Sequence, residues 1–505
     1  MENFKKDLGF YPEPLLSFGY DQCLEHPKDG LTVFGPIVDE RKPGEMRVGV
    51  IGTPEGLSKY RDWVERITRY IPPFQAGSPN HTAFPGFEAA FRTRWPTQPV
   101  IEIPISAADI SRVIRIADRH VAIYETVSLF ANPIKERYHE DDLPIDIWYV
   151  VIPEEVYLLG RPHSRVPYTE RVEVNSRINR RIAQRFMREP SLFAEDMAAA
   201  ETYKYEINFH HQLKARLLEV QAVIQIVRDT SLDLNLPSAP VRRRVQDPAT
   251  LAWNLCTASF FKAGGRPWRI ANVRKGVCYV GLVFKKFSML ETASNACCGA
   301  QMFLDSGDGL VFKGAVGPWY SPLTREFHLP ADEAAALVRT VVKSYRDIHR
   351  HPPHELFIHG RTRFDDAEWA GFRSGVSDET NLVGVRITRS QDMKLFRPGT
   401  RPVLRGTAYR LNRSRALLWT IGYIPRLQTY PGREVPNPLS IEICRGDADL
   451  SIVLEDVLRL TKVNFNTCIF ADGLPVTLRF ADAVGEILTA APKTDGPPLP
   501  FRHYI

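Results

Sequence analysis

The chain has 505 residues, 44% hydrophobic and 25% charged, with 65 lysines and arginines against 59 aspartates and glutamates. At roughly 100–200 residues per domain it holds about three globular units, and this balance excludes a disordered or fibrous chain. No apolar run approaches the ~18 residues of a membrane span, and residues 1–10 lack the apolar stretch of a signal peptide. The expectation is a cytoplasmic protein with no membrane partner.

The first 38 residues are punctuated by proline and glycine without a helical period, which reads as an irregular lead-in. From 39 to 270 strands and helices alternate: strands at 46–51 and 146–152, helices at 54–67, 107–119 and 201–219. Such alternation implies a mostly parallel α/β sheet. The run GVIGTPEG after the first strand carries Gly49 and Gly52 without the full dinucleotide-binding spacing, so it reads as a tight strand-to-helix turn. Residues 220–227 alternate and are β-branched, which puts Gln225 on a strand, and 251–262 form a helix ended by Ala263-Gly264-Gly265. From 271 onward come a strand at 277–287, a hairpin (300–304, a turn at 305–309, 310–313), a helix at 332–349, a strand at 355–359 and a helix at 365–372. That order is the order of a ribonuclease H-like domain, closed by an amphipathic helix at 475–488 behind Pro475.

Seven cysteines (23, 256, 278, 297, 298, 444 and 468) without Cys-x-x-Cys spacing exclude a disulfide framework and a zinc ribbon, and vicinal Cys297 and Cys298 read as packed thiols. His349, His351, His354 and His359 with Asp365 and Asp366 fit no standard metal spacing and read as solvated loop histidines. A net charge of +6 is modest, but its arginines cluster: Arg177, Arg180, Arg181, Arg185 and Arg188 at helical spacing, Arg242 to Arg244, and Arg397, Arg401, Arg405, Arg410, Arg413 and Arg415. Each cluster alone reads as a solvated face; together they raise a polyanion groove.

His210 and Lys214, four apart, project about 40° from one another on one helix face. With Gln225 and Lys262 they form the set a terminal phosphate needs, point charges for its net charge and directional donors for its oxygens. His210-x3-Lys214, Gln225 and Lys262 in FFKAGGRPW resemble the signature by which the MID domain of Argonaute proteins holds a guide's 5′ phosphate. The segments LSFGYDQCLEHPKDGLTVFGP (16–36), FPGFEAAF (84–91), NACCGAQMFLDSGDGLVFKG (295–314), EVPNPL (434–439) and ADGLPVTLRFADAVGEILTAA (471–491) resemble short prokaryotic Argonautes, which have MID and PIWI domains only.

The resemblance implies a lead-in at 1–38, a Rossmann-like MID domain at 39–270 and a ribonuclease H-like PIWI domain at 271–505. It implies a small guide RNA anchored by its 5′ phosphate, with Mg2+ held there by Gln225 and the terminal carboxylate of Ile505, and a complementary single-stranded DNA target. Slicing needs carboxylates around two metal ions, and Val283, Arg361 and Lys462 stand where the resemblance expects them. The implied protein binds without cutting. Its consequence would come from an APAZ-domain partner carrying a TIR or SIR2 NADase, in a heterodimer that oligomerises on target binding and depletes NAD in abortive defence against plasmids or phages. The alternatives are an active ribonuclease H-like nuclease using Asp305, Asp308, Asp365 or Asp366, and a Rossmann-type metabolic enzyme suggested by GVIGTPEG.

Overall fold

The computed structural model describes residues 7–505 except 41, 75–81, 141–143, 175–177, 234–246, 287–295, 304–308, 318–319, 322–325, 431, 433 and 493–497. Two sheets carry the fold. The first has four parallel strands, β1 (Val48–Gly52), β2 (Ile101–Pro104), β3 (Ile147–Ile152) and β4 (Ile224–Arg228), in the order β2-β1-β3-β4. Helices α1 (Pro54–Ile67), α2 (Ala107–Ile114), α3 (Arg119–Glu140), α4 (Phe209–Leu217) and α5 (Pro248–Lys262) cover it.

Strand β3 is buried at every residue, and its alternation divides the core. Trp148, Val150 and Ile152 pack with Phe209, Leu213 and Leu217 of α4, whereas Ile147, Tyr149 and Val151 pack with Trp253, Cys256 and Phe260 of α5. The turn into α1 is fixed by Thr53, whose hydroxyl accepts from Gly56 N at 3.1 Å. Gly52 and Gly56 both lie against Val151 where a Cβ would collide, so those glycines serve packing.

The second sheet has ten strands. Toward one side lie β5 (Val277–Lys286), β6 (Ala296–Phe303) and β7 (Gly309–Gly317), each antiparallel to the next. After α6 (Ala331–His349), strand β8 (Glu355–Gly360) lies parallel to β5, and after α7 (Asp366–Ser374), β9 (Asn381–Arg389) lies parallel to β8. Strands β10 (Thr407–Arg410), β11 (Arg415–Leu418) and β12 (Leu439–Arg445) extend that side. Helices α8 (Leu450–Leu460), α9 (Val476–Arg479) and α10 (Ala481–Leu488) follow, and β13 (Leu499–Pro500) pairs with β7 at the far edge.

Four expectations are corrected. From residue 7 the lead-in carries regular elements: Leu8–Phe10 pairs with β10, Leu16–Ser17 pairs with Cys23–Leu24 and Arg269–Ile270, and Pro27–Val33 is a helix. The helix read at 201–219 is broken at Tyr205, which is extended, and restarts behind Asn208. The helix at 475–488 is two, α9 and α10, joined at Phe480. A long helix, α3, follows α2 unannounced: the Asp118 side chain accepts from His120 N at 2.9 Å at its start, and it carries Pro133 inside. Among the described residues no helix is long and apolar enough to cross a membrane.

Candidate phosphate-binding site

Strand β4 is an edge of the four-stranded sheet, and its open side is where α4 and α5 converge. Asn208 caps α4 by accepting from His211 N at 3.3 Å, and Phe209, Leu213 and Leu217 seat the helix on the core. Helix α5 starts on Asp247, which accepts from Thr250 N at 2.8 Å, and Tyr149 bonds Ser259 at 2.5 Å to hold it against β3. It stops at Lys262, before Gly264, whose φ of +99° suits glycine.

These supports bring the four sequence-predicted residues together. Lys262 Nζ donates to Gln225 Oε1 at 2.7 Å and to Ile224 O at 3.0 Å. Lys214 Nζ donates to Tyr504 O at 3.4 Å, so the last residues of the sequence close the site, and Ile505 is buried beside them in the core. Both lysines are buried, and among the described residues neither ammonium pairs with an acidic side chain. Burial lowers Lys214 to about 7, and burial with repulsion from Lys214 drives Lys262 well below its ordinary value. His210 is exposed; desolvation where its ring meets the site, with repulsion from Lys214, His211 and Lys262, lowers it from the usual imidazole range. Buried cations without acids are costly until an anion arrives. An oxyanion would relieve all three groups at once.

His210 also borders a cavity of about 570 Å³ whose floor includes Ile152, Val156, Leu251 and Leu255. Beside it the Tyr157 ring lies between the guanidinium groups of Arg161 at 3.8 Å and Arg228 at 4.2 Å. Sequence reasoning missed this aromatic sandwich because its members come from a helix, a loop and a strand.

At the other predicted positions, Val283 lies on β5 opposite Gly299. His359, read as a loop histidine, is instead buried on β8, where burial pushes it down to about 3 and its Nδ1 bonds Thr477 Oγ1 at 2.9 Å. Arg361 makes a two-pronged ion pair with Asp482 at 3.0 and 3.1 Å. Lys462 stands elsewhere, bonded to Glu13 at 2.9 Å and to Glu25 O at 2.7 Å; Thr477 of α9, not Lys462, reaches over β5 and β8. Asp365 caps α7 and Asp366 pairs with Arg445 at 2.7 Å, while Asp305 and Asp308 lie outside the described residues. Arg405, read as part of a cationic scatter, is buried against Glu13 at 2.8 Å; Arg177 and Arg242 to Arg244 lie outside the described residues. Among the described residues no three His, Cys, Asp or Glu side chains are grouped to hold a metal.

This architecture is that of Argonaute proteins. The chain is similar to Clostridium butyricum Argonaute bound to a guide DNA and a 19-mer target DNA (TM-score 0.60, 13% identity, covering 96% of this chain and 53% of that one). It is similar to Aa-Ago with externally bound siRNA (TM-score 0.54, 11% identity, 99% and 56%) and to A. aeolicus Argonaute (TM-score 0.53, 12% identity, 97% and 54%). The chain thus has an Argonaute fold and spans about half the length of these proteins. No family model matches the sequence, and no curated protein matches it.

Proposed function

We propose that this chain is a short Argonaute of MID and PIWI domains that holds a small guide RNA by its 5′ phosphate, pairs it with single-stranded DNA and does not cut. The carrying observation is the buried pair Lys214 and Lys262, which has no acidic partner among the described residues and converges with His210 and Gln225 at the edge of β4. A phosphate dianion supplies the missing countercharge, and the protein reads backbone charge and duplex shape while base pairing carries sequence. The guide's first base would occupy the cavity beside Tyr157. On this reading Gln225 and the Ile505 carboxylate would offer oxygen donors to a magnesium ion, which would offset phosphate charge there.

On this reading Val283, His359 and Arg361 offer no metal-binding carboxylate where slicing would need one. The effect on the cell would come from an APAZ-domain partner with a TIR or SIR2 NADase, acting in the cytoplasm in defence against plasmids or phages. Two experiments test the reading. The double variant K214A/K262A should co-purify at least about tenfold less short nucleic acid than the native protein, since roughly 1.4 kcal/mol of lost binding accounts for that factor; undiminished content overturns the site. Guide-loaded protein with labelled target DNA and Mg2+ or Mn2+ should leave the target whole, and a discrete product overturns the non-cutting assignment.

A further inference from the structure

His211, next to the phosphate site, faces acids on two sides. Its Nδ1 lies 3.1 Å from Glu206 Oε2, on the segment leading into α4, and its Nε2 lies 3.3 Å from Glu486 Oε2 on α10. Glu486 holds Lys285 of β5 at 2.8 Å through its other oxygen. The remaining neighbours are the Asn208 amide, 3.4 Å from Nε2, and the His210 ring, 5.8 Å away centre to centre. An ionised carboxylate only accepts, so Nδ1 carries the hydrogen it gives to Glu206, while Nε2 faces both the Asn208 amide and the Glu486 carboxylate. The backbone follows the same path, because Glu206 N donates to Ala490 O at 3.0 Å just beyond α10.

We infer that His211 is a positioning residue: placed between Glu206 and Glu486, its ring fastens the start of α4, which presents His210 and Lys214, to α10 and, through Glu486 and Lys285, to β5 of the large sheet. The arrangement does two things. It fixes the rotation of α4 about the core, and hence where His210 and Lys214 point. It also links the phosphate site to β5 through a continuous run of side chains, His211, Glu486 and Lys285, so that the helix an anion meets beside His210 is held to the large sheet. The latch is independent of what the site binds; its influence on a guide rests on the proposed function.

The full-length chain tests it with H211Q, E486Q and H211R, the last keeping N–H donors that reach both acids. Without nucleic acid, amide exchange in residues 209–217 and 481–488 should be about tenfold faster in H211Q and E486Q, the factor roughly 1.4 kcal/mol of local stability produces, and H211R should restore slow exchange. Unchanged exchange in E486Q overturns the latch. Next, affinity is compared for a short RNA with a 5′ phosphate and the same RNA with a 5′ hydroxyl. Both glutamine variants should lose preference for the phosphate while hydroxyl-ended RNA binds as before; equal loss for both ends overturns the positioning role. A native protein with no preference would refute the phosphate site itself, with the exchange result still deciding the latch.

Discussion

Among the described residues Lys214 makes a single hydrogen bond, 3.4 Å long, from a buried ammonium. With burial holding it to about 7 in the fold against an ordinary 10.5, the unfolded chain binds more protons between those values. Stability of the unliganded protein should therefore rise with pH from about 7 to about 10, and K214M should flatten that rise. At neutral pH K214M should melt a few degrees higher than the native protein, by about 1–2 kcal/mol of relieved desolvation, while losing guide. A K214M protein that melts lower would contradict this account of the site. At this scale His210, Lys214, Gln225 and Lys262 were legible because helical spacing and a short signature carry them. Glu486 was not, since its place beside His211 arises only when segments hundreds of residues apart meet.

Elements whose local signals agree were legible in sequence. Residues 54–67 begin with Thr53 and Pro54 and present one apolar face, and the helix forms as read. The 201–219 stretch misled because residues with helical periodicity continue past Tyr205, whereas Asn208 binds the His211 backbone and starts a separate helix. The contact of β5 with α9 was invisible for another reason: it depends on one missing side chain. A Cβ on Gly281 would lie 1.8 Å from Thr477 O, and a backbone oxygen at a helix start cannot swing aside. G281A should push α9 from β5, break the His359–Thr477 bond and lower stability by about 1–3 kcal/mol, the usual cost of overpacking. Gly44, with nothing within 4 Å of its would-be Cβ, is the control, and G44A should melt with the native protein. Equal melting of the two variants would refute the tight contact.

Across the whole molecule, the modest net charge of +6 conceals cations committed to two different tasks. Lys214 and Lys262 beside β4 lack acidic partners among the described residues and wait for an anion, whereas Arg405 and Lys462 are buried around Glu13, which ties the lead-in to the large sheet. Desolvation would raise the Glu13 pKa, but Arg405 and Lys462 outweigh it and hold it below the usual 4.5. A carboxylate held down in the fold contributes its full stabilisation above its ordinary pKa and loses it as pH falls through the lowered value. The lead-in should stay docked at neutral pH and release only in acid. E13Q leaves two buried cations without their acid, which should cost about 3–5 kcal/mol at neutral pH. It should also remove part of the acid dependence, so that native and variant melting temperatures converge once the pH falls below the lowered Glu13 value. Exchange in residues 8–33 reports the release directly. If E13Q keeps those amides as protected as in the native protein at pH 7, Glu13 does not hold the lead-in, and the strand pairing of Leu8–Phe10 with β10 must hold it unaided.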